Sequence, residues 1–268
     1  MRATLFVARD APVAVVLRRA AGGWSQLHRW DLDTDDLTEG EWLHARIFPT
    51  RCDLSPDGRL FGFFAHDGRP HRDAEGWTAI VRPPHVTALA AWWEDSTWTT
   101  GPFFPAADRV WPGGDGHPDH GALPRWLRTV DLPWPQPGRE WTDRTVPLNR
   151  LRRDGWRAED DTLDRWTRTV RHPPGQLEVI DPGAGWMHTV EGRGTSYRIS
   201  WSTASGHPVD LDVDSAAVDS RGQLLGVADG QLFRWGARED VEMVAELSRR
   251  PPDGTSPPTI ARRWPPAP

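Results

Sequence analysis

The sequence predicts an all-β protein, on two kinds of observation. Glycine and proline are abundant, at 25 and 26 residues, which favours many turns and argues against long helices. Short apolar runs also alternate with turn residues along most of the chain. The clearest stretch is residues 51–93, in which one apolar run ends at Leu54 and three others cover residues 60–65, 77–81 and 86–93. Four short antiparallel strands in about forty residues have the size of one β-propeller blade.

The turn between the first two of these runs has a specific turn chemistry. Ser55-Pro56-Asp57-Gly58 places proline at the second turn position and glycine where the backbone needs φ above zero. Residues 218–228 repeat the unit without a gap, and Gly222 matches Gly58. The two glycines lie 164 residues apart, which is about four units of 41 or three of 55. We therefore predict a single irregular β-propeller of five or six blades, each of about four antiparallel strands.

Short apolar runs predict the remaining strands, which cover residues 4–8, 13–17, 24–30, 98–105, 109–111, 166–170, 176–180, 186–190, 196–202 and 232–235. Residues 123–141, rich in Trp and Pro, predict irregular β-structure, and Asp154-Gly155 predicts a turn. We expect residues 1–248 to form the propeller, with the N-terminal strands joined to the last blade, because closure removes exposed sheet edges. Residues 249–268, mostly Pro, Arg and small residues, predict an extended and partly mobile tail.

Composition and charge exclude several classes of function. The net charge of −6 gives no electrostatic reason to expect nucleic-acid binding. No lysine is present, which excludes a Walker-type or Schiff-base lysine. The single cysteine, Cys52, favours a reducing compartment. The N-terminus lacks an uninterrupted signal-peptide core, and no apolar run approaches the length of a membrane helix. We expect a bacterial cytoplasmic protein that binds neither nucleic acid nor membranes.

Two clusters contain residue types that bind metal ions, so each is compared with the requirements of a metal site. The acidic run 31–36 lacks the Gly and Glu that an EF-hand requires at positions six and twelve, so it predicts a solvated hairpin tip. His117, Asp119 and His120 lie in a Gly-rich loop, which is poorly pre-organised for metal, so an exposed polar loop is expected. We predict no metal site and no cofactor.

Catalytic motifs are absent from the sequence. It contains no Gly-x-Ser-x-Gly elbow, no His-Glu-x-x-His and no phosphate-cradling glycine loop. Cys52 beside Asp53 invites a nucleophile hypothesis, but a buried strand residue is the ordinary alternative. We predict no catalytic residues.

Ser55-Pro56-Asp57-Gly58, followed by Arg59-Leu60 and aromatic residues, resembles the blade turn of WD-repeat and Tol-type β-propellers. The whole chain is also similar to uncharacterised bacterial propeller-like proteins, in residues 51–58, 77–80, 82–84 and 222–235. It departs from the WD pattern, because no regular Gly-His and Trp-Asp pair recurs. The resemblance implies a propeller fold and no particular activity.

The 17 tryptophans and abundant arginines suggest an interaction surface, because both residue types are enriched at interface hot spots. Arg51, Asp53, Arg82 and His85 are candidates for a polar patch on one face. The neighbours Trp92 and Trp93 point to opposite faces of a strand, which predicts that one of them is exposed, close to Trp98. Structural alternatives stay open. Tryptophan also fills the space between blades, and Arg51 with Asp53 is equally consistent with an ion pair.

Two functions fit this pattern. The first is a non-catalytic scaffold that binds a protein or peptide partner through these residues. The alternative is an enzyme or small-ligand binder that uses the central channel, with or without a metal, and it predicts at least three convergent His, Asp, Glu or Cys side chains. The sequence does not specify an oligomeric state.

Overall fold

The computed structural model describes residues 2–68, 74–113, 116–134, 143–182, 195–201, 208–236, 240–247 and 256–268. Their strands form five sheets, which are the blades of a five-blade β-propeller. This confirms the predicted all-β fold, with five blades. The predicted strand at 186–190 lies outside the described residues.

Blades 1 and 2 come from the N-terminal part of the chain. Blade 1 pairs, in chain order, β1 (Arg2–Val7), β2 (Val13–Arg19), β3 (Trp24–Asp31) and β4 (Leu37–His44). Blade 2 pairs β5 (Arg46–Leu54), β6 (Phe61–His66), β7 (Gly76–Val81) and β8 (Ala88–Glu94), and the short strand β11 (His120–Gly121) lies along the outer side of β8. The described part of the stretch 51–93 thus lies in one blade, within its strands β5 to β8, as predicted.

The remaining blades are less regular. Blade 3 consists of β9 (Phe103–Ala106), β10 (Arg109–Trp111) and β12 (Arg128–Thr129), the last pairing parallel to β10. Blade 4 consists of β13 (Arg157–Ala158), β14 (Arg165–Arg171), β15 (Pro174–Ile180), β16 (Ser196–Trp201) and β17 (Val209–Asp210). Blade 5 consists of β18 (Ser215–Val218), β19 (Leu224–Ala228), β20 (Gln231–Trp235) and β21 (Val241–Glu246).

The two matching turns occupy the same place in their blades. Gly58 lies between β5 and β6 with φ 72°, and Gly222 lies between β18 and β19 with φ 86°. Each glycine N–H closes the turn onto the carbonyl oxygen three residues earlier, at 2.8 Å on Ser55 and 3.1 Å on Asp219. Because these blades are the second and the fifth, the 164-residue offset corresponds to three blades of about 55 residues.

Blade 5 closes the ring against blade 1 through side-chain packing. Their shared core includes Leu5, Val16 and Trp30 from blade 1 and Val227 and Leu232 from blade 5. Each blade forms its own sheet, so blade 1 and blade 5 share no strand. The expected joining of the N-terminal strands to the last blade is therefore wrong for the described strands: the two blades meet through apolar side-chain burial and not through strand pairing.

The acidic turn between β3 and β4 takes part in this closure. Asp35 lies 2.7 Å from the guanidinium of Arg234 on β20, and Asp33 forms an ion pair with Arg221. The tip is exposed at Asp33 and Asp36, as predicted, and the carboxylates of Asp33 and Asp35 also meet arginines of blade 5 about 190 to 200 residues away.

The helix α1 (Thr145–Arg153) was not predicted. Pro147 lies in its first turn, where a missing backbone N–H is tolerated. Seven of its nine residues are buried, so tertiary packing stabilises this short helix. No helix within the described ranges has the length and apolar composition that crossing a membrane requires.

Residues 256–268 pack against the propeller. Thr259–Arg262 form a short 3₁₀ helix in which Ala261 is fully buried. The ring of Trp264 lies 6.3 Å from that of Trp126, edge to face, and the carbonyl of Pro266 accepts a 2.6 Å hydrogen bond from Arg59. An extended tail is therefore wrong for this segment, and the division of the chain at residue 248 stays a prediction.

Candidate functional site

Arg51 and Asp53, two of the predicted binding residues, hold the segment that carries α1. Arg51 Nε lies 2.6 Å from Asp143 Oδ1, just before the helix. Asp53 Oδ2 lies 2.6 Å from Nη1 of Arg153, the last residue of the helix. The hypothesis that Arg51 and Asp53 pair with each other is therefore wrong, since each has a partner on the α1 segment.

The pair formed by Asp53 and Arg153 is deeply buried, with side chains exposed by 0% and 2%. Asp53 also accepts the backbone N–H of Phe104 at 2.8 Å, and Arg153 is bound by Asp154 at 2.7 Å. Burial raises the pKa of Asp53, and the positive charge of Arg153 opposes that rise. These contacts join blade 2, blade 3 and α1, so this site is structural.

Cys52 lies between these residues and is fully buried. Its thiol donates to the carbonyl oxygen of Phe48 at 3.1 Å, and its own carbonyl accepts a hydrogen bond from Arg150 at 3.1 Å. Burial raises the pKa of the Cys52 thiol well above its ordinary value. The geometry thus favours the buried-strand interpretation over the nucleophile hypothesis.

Arg82 and His85 lie in the connection between β7 and β8. His85 Nδ1 lies 2.7 Å from a carboxylate oxygen of Glu41 on β4, and so links blade 2 to blade 1. Arg82 is half-buried. Trp93 lies at the opposite end of β8, about 15 Å along the strand from this connection. The six predicted binding residues therefore do not form one patch.

Trp92 and Trp93 point to opposite faces of blade 2, as alternation along a strand requires. Trp92 is 2% exposed and packs with Leu60 and Phe104 in a core shared with blade 3. Trp93 is 43% exposed and lies directly opposite Trp77 of β7. Trp93 can therefore contact a partner, whereas Trp92 belongs to the core.

The loop after β8 carries a more exposed tryptophan, Trp98, at 61%. Backbone contacts hold this loop: the carbonyl of Thr97 accepts a hydrogen bond from Arg51, and its N–H donates to Glu75 at 3.2 Å. A Cβ on Gly101 would lie 1.8 Å from the carbonyl oxygen of Arg51, so this close approach requires glycine. Arg51 therefore positions the loop that presents Trp98.

The Gly-rich loop with the metal-capable residues is docked on blade 2. His120 pairs with Ala91, and Asp119 Oδ2 accepts the backbone N–H of Trp93 at 2.8 Å. The backbone N–H of Trp93, on the outer side of β8, therefore already has a hydrogen-bond acceptor in Asp119. Within the described ranges, no group of three or more His, Cys, Asp or Glu side chains is placed to hold a metal ion.

A cavity of about 630 Å³ lies in the central channel, bounded by β1, β5, α1, β16 and β18. Its charged lining was not predicted from the sequence and consists of Arg2, Arg19, Arg46, Arg150, Arg168, Asp154, Asp212 and Asp214. Arginines outnumber carboxylates on its wall, so the cavity suits an anion better than a cation.

Glu94 ends β8, beside the exposed Trp93. It is 7% exposed, and its carboxylate accepts a hydrogen bond from Thr78 at 3.1 Å. Burial raises the pKa of Glu94 to about 7, and the nearby charges of Asp95 and Asp119 also raise it. Hydrogen bonds from threonine side chains act in the opposite direction and lower the pKa. Glu94 therefore titrates close to neutral pH.

Stability should depend on pH through Glu94. Because its pKa of about 7 in the folded protein exceeds the ordinary 4.5, folding favours the protonated form. This stabilisation is complete below about pH 4.5 and is lost as the pH rises through 7. From about pH 5 to 8, the free energy of unfolding should fall by about 2 kcal/mol more in the wild type than in Glu94→Gln. Urea unfolding across this range measures the difference, and equal pH dependence in both proteins would contradict it.

The similarity of this chain to known proteins is confined to weak matches with solved structures. No family model matches it, and no curated protein matches it. TolB from Acinetobacter baumannii is similar over 91% of this chain and 43% of its own, at 10% identity and a TM-score of 0.22. An uncharacterised protein from Listeria monocytogenes EGD-e is similar over 87% of this chain and 61% of its own, at 8% identity and a TM-score of 0.26.

The chain therefore spans less than two thirds of either solved structure. At these TM-scores neither similarity carries an argument about function. The class of the protein, a five-blade β-propeller, follows from its own sheets.

Proposed function

We propose that the protein is a non-catalytic propeller that binds a protein or peptide through an aromatic patch on blade 2. The patch consists of Trp93 and Trp98, with the half-buried Trp77 opposite Trp93. The exposure of two tryptophans five residues apart, 43% and 61%, carries the proposal. Tryptophan gives a large contact area and dominates interface hot spots.

The patch is held in place before any partner arrives. Glu75 binds the N–H of Thr97 and so keeps the loop beside the start of β7, near Trp77. Within the loop, the hydroxyl of Ser96 accepts a hydrogen bond from the backbone N–H of Trp98 at 3.0 Å. Arg51 donates a hydrogen bond to the carbonyl oxygen of Thr97 in the same loop. A rigid aromatic surface loses little conformational entropy on binding, which favours affinity.

The charge around the patch indicates the chemistry of the partner. Three exposed carboxylates surround the tryptophans, those of Glu75, Asp95 and Asp119. An apolar segment flanked by Arg or Lys therefore fits the patch, because complementary charge steers association. Such binding weakens as the salt concentration rises.

The test is a pull-down from the native cell with the tagged protein, in which mass spectrometry identifies the captured partner. Trp93→Ala combined with Trp98→Ala should lower capture by about tenfold or more, because truncating a hot-spot tryptophan costs at least 2 kcal/mol. Trp92 is left intact, since its removal would open a cavity in the core.

The matched control is Val241→Ala combined with Met243→Ala, which truncates two similarly exposed apolar side chains on blade 5. This variant should capture the partner as the wild type does. Undiminished capture by a folded Trp93/Trp98 double variant would remove the patch as the binding surface.

A further inference from the structure

Three arginines meet at one end of the channel cavity. Arg2 on β1 and Arg19 on β2 are directly opposite each other in the antiparallel pair, and Arg46 begins β5. All three line the 630 Å³ cavity and also an adjoining cavity of about 340 Å³. Like charges directly opposite in a sheet are destabilising. Arg19 is therefore repelled by both Arg2 and Arg46 in the absence of a bound anion.

Carboxylates near the three arginines also contact other groups. Asp143, whose charge acts on Arg46, is held by Arg51 at 2.6 Å. Asp214, whose charge acts on Arg19, accepts the backbone N–H of Ala3 at 3.4 Å. Among the described residues that line the larger cavity, arginines outnumber aspartates by five to three, so its wall favours an anion.

Two of these arginines have a lowered pKa. Burial lowers the pKa of Arg19, and the charges of Arg46 and Arg2 lower it further. Burial also lowers the pKa of Arg46. Their surroundings thus disfavour the cationic forms, and a bound anion reverses that effect.

We propose that Arg2, Arg19 and Arg46 bind a small molecule that carries a multiply charged phosphate group. The planar guanidinium fork matches phosphate oxygens in pairs, and a phosphate group offers three acceptor oxygens to converging arginines where a carboxylate offers two. The cavity lies within the range of about 300–1,000 Å³ that small-molecule sites occupy.

The adjoining cavity offers a place for an organic part of the ligand. Trp24 lines it together with the three arginines, and its ring lies 4.4 Å from the ring of His44. An aromatic surface beside a phosphate-binding cluster suits a planar or apolar group. This site lies on other elements than the aromatic patch and is independent of the proposed partner binding.

Isothermal titration with pyrophosphate at low ionic strength tests the site. The wild type should bind pyrophosphate saturably, and Arg19→Gln and Arg46→Gln should each weaken binding by about tenfold or more, since each removes a charge-assisted hydrogen-bond donor. The melting temperature of ligand-free Arg19→Gln should equal or exceed that of the wild type, because repulsion from Arg2 and Arg46 is relieved. A melting temperature that is not lowered separates a lost site from a failed fold.

Arg125→Gln is the matched control, because Arg125 is exposed and lines neither cavity. It should bind pyrophosphate as the wild type does. Citrate, a carboxylate of comparable charge, should bind more weakly than pyrophosphate. No saturable binding by the wild type, or equal affinity in Arg19→Gln and Arg46→Gln, would overturn the site, and equal affinity for citrate would overturn the phosphate assignment.

Discussion

Replacing Asp53 by alanine should lower the free energy of unfolding by about 3–5 kcal/mol. The substitution leaves Arg153 buried at 2% exposure without the carboxylate that lies 2.6 Å away. It also removes the acceptor for the backbone N–H of Phe104. Because these contacts join α1 to blades 2 and 3, the loss should appear in the global unfolding transition, measured by urea denaturation.

The control is Asp108→Ala, which breaks a 2.9 Å ion pair with the largely exposed Arg128. Its effect should be much smaller, because solvent screens exposed ion pairs. Replacing Arg153 by Met in the Asp53→Ala background should recover part of the lost stability, since the unpaired buried charge is then gone. Similar losses in the two single variants would show that Asp53 does not anchor the helix.

Trp92→Ala should cost about 3–5 kcal/mol of unfolding free energy, as large-to-small changes of buried aromatic residues do. Trp92 fills the space between blades 2 and 3 against Leu60 and Phe104. Its indole N–H also points to the carbonyl oxygen of Gly116, at 3.4 Å.

Trp93→Ala provides the control from the next position of the same strand. Trp93 is 43% exposed, so its truncation should change stability far less, within the range of ordinary surface substitutions. Thermal or urea unfolding of both variants measures the contrast. A larger loss in Trp93→Ala than in Trp92→Ala would contradict the assignment of the two faces.

The propeller could be predicted because its signals are local. Proline and glycine at fixed turn positions, as in Ser55 to Gly58, define the first hairpin of a blade. Gly222 repeats that geometry, and both glycines adopt the positive φ that the turn requires. Helix α1 was missed because it is short, begins beside Pro147 and forms through burial against other elements.

The candidate site depends on contacts that sequence spacing does not reveal. Arg51 and Asp53 were predicted to belong to a polar patch, but their partners lie 92 and 100 residues further along the chain. The pairing of Arg2 with Arg19 could have been found, because extending the first hairpin by two residues places them opposite each other. Arg46 comes from another blade, so its convergence required the fold.

Hydrogen exchange of the purified complex with its captured partner tests the location of the binding surface most directly. Amide exchange should be slower in β8 and the following loop, residues 88–101, and at the start of β7. Exchange in β1 and in the turn at residues 20–23, beside the channel arginines, should stay unchanged. Protection confined to those channel segments, with none around Trp93 and Trp98, would contradict the aromatic patch as the surface that binds the partner.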